Sequence, residues 1–179
     1  MLPLLLSGLL LAAPLSVSRT PALLDGARAA STVPAEGGGV IVRIDSELNV
    51  LVSGEGGTVT RVVLAFDSRS ASYPGELPAL GSRLGRLARE YATRCFGLPA
   101  GDRKVLGERI WQALKNPDTD FPEVWSYGPL DVQVNAVVED GYSRTLGDSG
   151  VVDVPPDVSV RVILERSAAP GWVPGCRWP

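Results

Sequence analysis

From residue 40 onward apolar and polar positions alternate in runs the length of strands. "VIVRID" (40–45) sets Val40, Val42 and Ile44 against Ile41, Arg43 and Asp45, and "LNVLVS" follows a turn at Ser46-Glu47. "GEGG" (54–57) has the backbone freedom for a tight reversal. "TVTRVVLAF" (58–66) is apolar on both faces by Val62 to Phe66, the pattern of a more central strand. A three-stranded meander over 40–66 is predicted.

The period then lengthens. From about Pro78 to Phe96, Leu80, Leu84, Leu87, Ala88, Tyr91 and Cys95 fall on one side of a helix, with Arg83, Arg86, Arg89, Glu90 and Arg94 opposite. Gly97 is placed to end this helix and Pro99 to prevent its resumption. A second helix is predicted over 103–115, with Asp102 as N-cap and Leu106, Ile110, Ala113 and Leu114 on its core side; Asn116-Pro117 stops it.

The stretch "PDTDFPEVWSYGP" (117–129) reads as a loop carrying Phe121, Trp125 and Tyr127. "LDVQVNAVVE" (130–139) alternates cleanly and is a strand. A short "GVVDV" and a final "VSVRVILE" are expected to close the sheet. The predicted fold is α+β: a largely antiparallel sheet of five to six strands, in the order β-β-β-α-α-β-β-β, with two helices packed on one face. At 179 residues the chain holds one such domain, over 40–179, ending in the tail "PGWVPGCRWP".

The first 18 residues carry no charge, and the apolar run Leu2 to Val17 is broken by Pro3, Gly8 and Pro14. It is shorter than the roughly 20 residues that span a bilayer. Ser16 and Ser18 suit a cleavage site, so 1–18 reads as a secretory signal peptide, with an uncleaved anchor as the alternative. Residues 19–39, rich in Ala, Gly, Pro, Ser and Thr, read as a flexible linker. The expected location is therefore secreted or periplasmic, in the cell envelope, with membrane contact only if the N-terminal segment is uncleaved. In that compartment Cys95 and Cys176 most simply form a disulfide that fastens the tail to the first helix; two free thiols are the alternative.

Composition removes several chemistries. There is no histidine, which excludes Ser–His–Asp and Cys–His catalysis and the commonest transition-metal ligand. Lys104 and Lys115 are the only lysines, and no phosphate-binding glycine loop precedes either. No metal site and no cofactor are expected. The net charge of −3 does not fit nucleic-acid binding.

Charge is nevertheless segregated. Residues 83–109 hold seven basic and three acidic side chains, whereas 118–157 hold nine acidic ones and only Arg144. Arg83, Arg86, Arg89 and Arg94 form a candidate anion or partner surface, against the plainer reading of a wet helix face. Phe121, Trp125, Tyr127, Trp172 and Trp178 form a candidate aromatic patch, read as a small second core under the tail or, if exposed, as a partner surface. Asp118, Asp120 and Glu123 lack the glycine and distal glutamate of an EF-hand loop. Glu139 and Asp140 are adjacent on a strand, so they point to opposite faces and cannot flank one bond. A pocket joining Asp67, Asp131 or Glu139 with an arginine would argue for an enzyme.

Three segments, "GVIVRIDSELNVLVSGE", "GELPALGSRLGRLA" and "VTRVVLAF", resemble the first strand pair, the following helix and the last strand of the periplasmic domains of ExbD/TolR biopolymer-transport proteins. Here the third segment precedes the helix, and the uncharged first 18 residues have no counterpart of that family's membrane-embedded aspartate. The resemblance implies a membrane-tethered periplasmic component of an envelope complex. The residues themselves point to an exported, non-enzymatic binding or interaction domain for an unidentified protein or small-molecule partner.

Overall fold

The computed structural model describes residues 31–35, 39–55, 58–68, 77–115, 121–139, 141–145, 151–154 and 157–167, with two short pieces, 15–16 and 176–177. In chain order the elements are β1 (Leu15–Ser16), β2 (Ser31–Pro34), β3 (Val40–Arg43), β4 (Leu48–Glu55), β5 (Thr58–Ser68), α1 (Leu77–Tyr91), a π-helical turn (Ala92–Phe96) and α2 (Ala100–Lys115). There follow β6 (Glu123–Tyr127), β7 (Leu130–Glu139), β8 (Tyr142–Thr145), β9 (Val151–Val154), β10 (Asp157–Arg166) and β11 (Cys176–Arg177). The fold is α+β. Seven strands form one open antiparallel sheet in the order β2-β3-β4-β5-β10-β7-β6, and both helices lie on the same face.

The covered face is built from in-register apolar rows. Val42, Val50, Leu64, Val162 and Val134 make one row across five strands; Leu48, Phe66, Val160 and Ala136 make the next. Both rows are buried, as are Leu84, Leu87, Ala88 and Tyr91 of α1 and Leu106, Ile110, Ala113 and Leu114 of α2. Truncating such a leucine to alanine removes about 2–5 kcal/mol, so this layer dominates the stability of the domain. The helices cross closely because Gly85 faces Gly107: a Cβ on Gly85 would lie 3.1 Å from the Gly107 carbonyl oxygen.

Several details differ from the sequence reading. The strand count exceeds five to six because two unforeseen edge strands are present. Ser31–Pro34, assigned to the linker, is edge strand β2, held by β3 along all four residues. Glu123–Tyr127, assigned to a loop, is edge strand β6; Gly128 (φ 53°) and Pro129 form the two-residue turn that returns the chain into β7. The "GVVDV" segment does not close the sheet, because β9 pairs with β8 in a separate two-stranded ribbon. The final strand is central instead of terminal: β10 lies between β5 and β7, paired to both. Its Val158, Val160, Val162 and Leu164 are completely buried, which an edge position would not allow. Asp102 lies inside the first turn of α2, its N–H bonded to the Pro99 carbonyl oxygen, so it complements the positive helix end without capping it.

Helix α1 ends as predicted at Gly97. Its left-handed backbone (φ 81°) lets the Gly97 and Leu98 N–H groups reach the carbonyl oxygens of Thr93 and Ala92. The π turn before it buries both Cys95 and Phe96. Cys95 forms the disulfide with Cys176, Cα–Cα 4.5 Å, across 81 residues of sequence. Cys176 is buried in β11, which pairs with β5 at Thr58 and, in parallel, with β1 at Leu15. Apart from β1, β2, Ala35 and Gly39, the expected signal peptide and linker lie outside the described residues.

Closing a loop of this length should contribute about 4 kcal/mol by restricting the unfolded chain. Urea unfolding of oxidised protein and of the Cys95→Ala/Cys176→Ala variant should differ by roughly that amount, with the same far-UV circular dichroism before the transition.

Candidate functional site

The predicted arginine surface is largely engaged within the chain. Arg83 donates to the Asp45 carboxylate, and Arg94 pairs with Glu90 one turn earlier at 3.1 Å. Arg89 lies across Gly107 at the helix crossing, where a Cβ on that glycine would come within 3.0 Å of its side chain. Arg86 alone of the four points fully outward without a charged partner among the described residues. Arg89 also lines a shallow groove of about 300 Å³ between the helices, with Ser82, Gly85, Lys104, Gly107, Glu108 and Trp111. The groove's own carboxylate, Glu108, lies 3.6 Å from Lys104, so its charge is partly balanced internally.

Asp45 belongs to the turn between β3 and β4, where its Oδ1 accepts the backbone N–H groups of Glu47 (2.9 Å) and Leu48 (2.7 Å). Burial alone would raise this carboxyl. The hydrogen bonds from Arg83, Glu47 and Leu48, together with the Arg83 charge, outweigh it and hold Asp45 below the ordinary value of 3.8.

The aromatic group is only partly assembled. Trp125 and Tyr127 alternate on β6 and face the helix side, packed against the core; Phe121 stands outside it at 72% exposure. Trp172 and Trp178 lie outside the described residues. The residue that unites Trp125 and Tyr127 comes from α2 and was not foreseen. The Arg109 guanidinium lies 5.9 Å from the Trp125 ring centre and 5.8 Å from that of Tyr127. Its position five residues after Lys104 on the predicted helix gave no hint of this, because the strand it covers read as a loop. Trp125 Nε1 and the Tyr127 hydroxyl are both buried, and the indole N–H is the donor nearest the hydroxyl. Burial raises the Tyr127 phenol; the Arg109 charge and the nearby indole N–H oppose the rise, and Asp102 adds to it.

The carboxylates considered for catalysis are not brought together with one arginine. Asp67 takes both its oxygens to Arg161, at 2.9 and 3.1 Å. Asp131, which accepts the Ser126 hydroxyl at 2.6 Å, is level with Glu165 on β10, whereas Asp67 is level with Ser159. Six residues of strand separate those levels, about 20 Å. Glu139 ends β7 on the same face, and Asp118, Asp120 and Asp140 lie outside the described residues. Among the described residues no three His, Cys, Asp or Glu side chains are grouped to hold a metal ion. No described helix is long and apolar enough to cross a membrane.

A further candidate surface among the described residues is the sheet face opposite the helices. The strand registers place Val33, Ile41, Leu51, Val63, Ile163, Gln133 and Val124 in one row crossing all seven strands. Six spacings of ~4.8 Å make this row about 29 Å long. Two facing pairs of carboxylates share this face: Glu165 opposite Asp131, next to the row, and Asp157 opposite Glu139, six residues from it on the other side and beyond Arg161. Glu165 has Arg61 on its other side; among the described residues no cation is level with Asp157 and Glu139.

No family model, no curated protein and no solved structure matches the chain. The likeness of three segments to ExbD/TolR proteins therefore rests on those segments alone.

The Asp45 carboxylate contributes stability at neutral pH that is lost as pH falls below its ordinary value and through its lowered folded value. Chemical denaturation across pH should show Asp45→Asn less stable than the parent at pH 7, with the two converging in strong acid. A constant gap at all pH values would show that the Arg83 and backbone contacts do not depend on ionisation.

Proposed function

We propose that the chain is an exported, non-enzymatic binding domain that uses its open sheet face to hold a partner polypeptide. The buried disulfide supports export, because such a bond is compatible with an oxidising compartment and uncommon in a reducing one. The observation that carries the binding role is the apolar row crossing the open face, with the facing carboxylates Glu165 and Asp131 beside it. Carboxylates placed directly opposite one another cost the free sheet stability, and a partner bearing cations would relieve that cost. The partner is thus a polypeptide with an apolar ridge flanked by lysine or arginine.

Processing after Ser18 would remove β1 while leaving β11 held by β5 and by the disulfide. N-terminal sequencing of natively produced protein should begin near Arg19. An intact N-terminus in the membrane fraction would place the same domain on a tether, in keeping with the ExbD/TolR likeness. Alkylatable Cys95 and Cys176 in native material would overturn export.

The surface is tested with two peptides of alternating residues, Leu-Lys and Leu-Glu, titrated into isotopically labelled protein. Only the basic peptide should shift the amide signals of Leu51, Val63, Gln133 and Ile163, and salt should weaken it. Shifts confined to α1 and α2, or none at millimolar peptide, would refute the open face as the contact surface. Glu139→Lys should raise the stability of the free domain by about 0.5 kcal/mol by converting a repulsive pair into an attractive one, while weakening the basic peptide.

A further inference from the structure

We propose that β6 is a self-association edge: it pairs antiparallel with β6 of a second copy, about a two-fold axis at Trp125. Sheet edges expose unpaired N–H and C=O groups, and proteins usually blunt them with proline, lysine, bulges or very short strands. The other edge follows that rule, since β2 has four residues and ends in Pro34. β6 does not. Its five residues, Glu-Val-Trp-Ser-Tyr, contain no proline or lysine, and they pair with β7 in unbroken register.

Exposed apolar side chains gather at this edge. Phe121 (72% exposed) immediately precedes it, Val124 (64%) is within it, and Val105 (41%) stands on α2 one turn before Arg109. The charges there are unspent as well. Neither Arg109 nor Glu123 forms an ion pair among the described residues.

The chemistry of the edge selects a second copy over an unrelated strand. Beside Tyr127 it calls for a strand with a carboxylate on the helix-facing side, within reach of the Arg109 guanidinium that covers the Tyr127 ring. Glu123 shares that side with Trp125 and Tyr127, because their partners Val134, Val132 and Leu130 all belong to the buried face. Pairing about Trp125 sets Glu123 opposite Tyr127 of the partner subunit, next to the partner's Arg109. The symmetry repeats this contact, giving two ion pairs. On the other side it sets Val124 opposite Ser126 of the partner subunit, covering the most exposed apolar side chain of the strand. Both helical layers stay on the same side, and the two seven-stranded sheets become one of fourteen strands.

Sedimentation equilibrium of the oxidised full chain should show a concentration-dependent dimer. Glu123→Arg and Arg109→Glu should each weaken it at least tenfold, because like charges would then meet at both symmetric contacts. The Glu123→Arg/Arg109→Glu double variant should return to within about threefold of the parent, a recovery that general loss of folding would not give; matching far-UV circular dichroism verifies each fold. Val124→Lys, which leaves both charges intact, should also weaken the dimer. A parent chain that stays monomeric at millimolar concentration would overturn the proposal, as would a dimer indifferent to these substitutions. Of the open-face row only Val124, at its end, enters this contact, so the peptide titration, read at Leu51, Val63, Gln133 and Ile163, reports on that face whether or not the dimer forms.

Discussion

The structure depends on one strand reaching the middle of the sheet from the far end of the chain. Among the described residues β10 is the strand that pairs with both the meander β3–β5 and the hairpin β6–β7, over residues 158–165 on one side and 157–166 on the other. Four of its side chains, Val158, Val160, Val162 and Leu164, sit at zero exposure between the two halves. Each contributes on the order of 1.5–3 kcal/mol when buried, and their backbone groups satisfy two neighbours at once. Without β10 the sheet is two pieces, each with a bare edge and half a core.

The rest of the architecture follows from that insertion. The helices can cover only one face, and they approach each other closely because Gly85 meets Gly107 at their crossing. The disulfide fixes the end of α1 to β11, beside the meander, and so closes the chain on the same side as the helices. What remains is a second face and two edges. The second face bears an apolar row with two facing carboxylates beside it, and one of the edges bears an arginine over two aromatic rings. The surfaces proposed for binding are therefore those the helices do not reach.

Much of this was legible in the residues. Period-two alternation located β3, β4, β5, β7 and β10 to within a residue or two, and the period near 3.6 identified the buried sides of α1 and α2 correctly, including Cys95. Gly97 marked the helix end because it takes a left-handed backbone that other residues resist. The failures have physical causes. β6 was lost because Pro122, Ser126 and the Gly128-Pro129 pair read as loop chemistry, although that pair is itself a hairpin turn between Tyr127 and Leu130. β2 was lost because four residues between Ala-rich and Gly-rich stretches have too short a pattern to register. The arginine stripe looked like a site because sequence shows charges without their partners; Asp45 and Glu90 supply those partners in three dimensions. The Arg109 stack was invisible for the complementary reason, since it joins a helix to a strand that had not been recognised.

The place of β10 in the chain sets an order of events for synthesis. A ribosome that has made everything up to Pro156 has produced a meander and a hairpin linked through the helices but with no strand between them, and the sheet cannot close. Such a nascent polypeptide stays threadable until β10 has emerged. Under the export proposed above, that delay would keep the precursor loose enough for a narrow translocation channel.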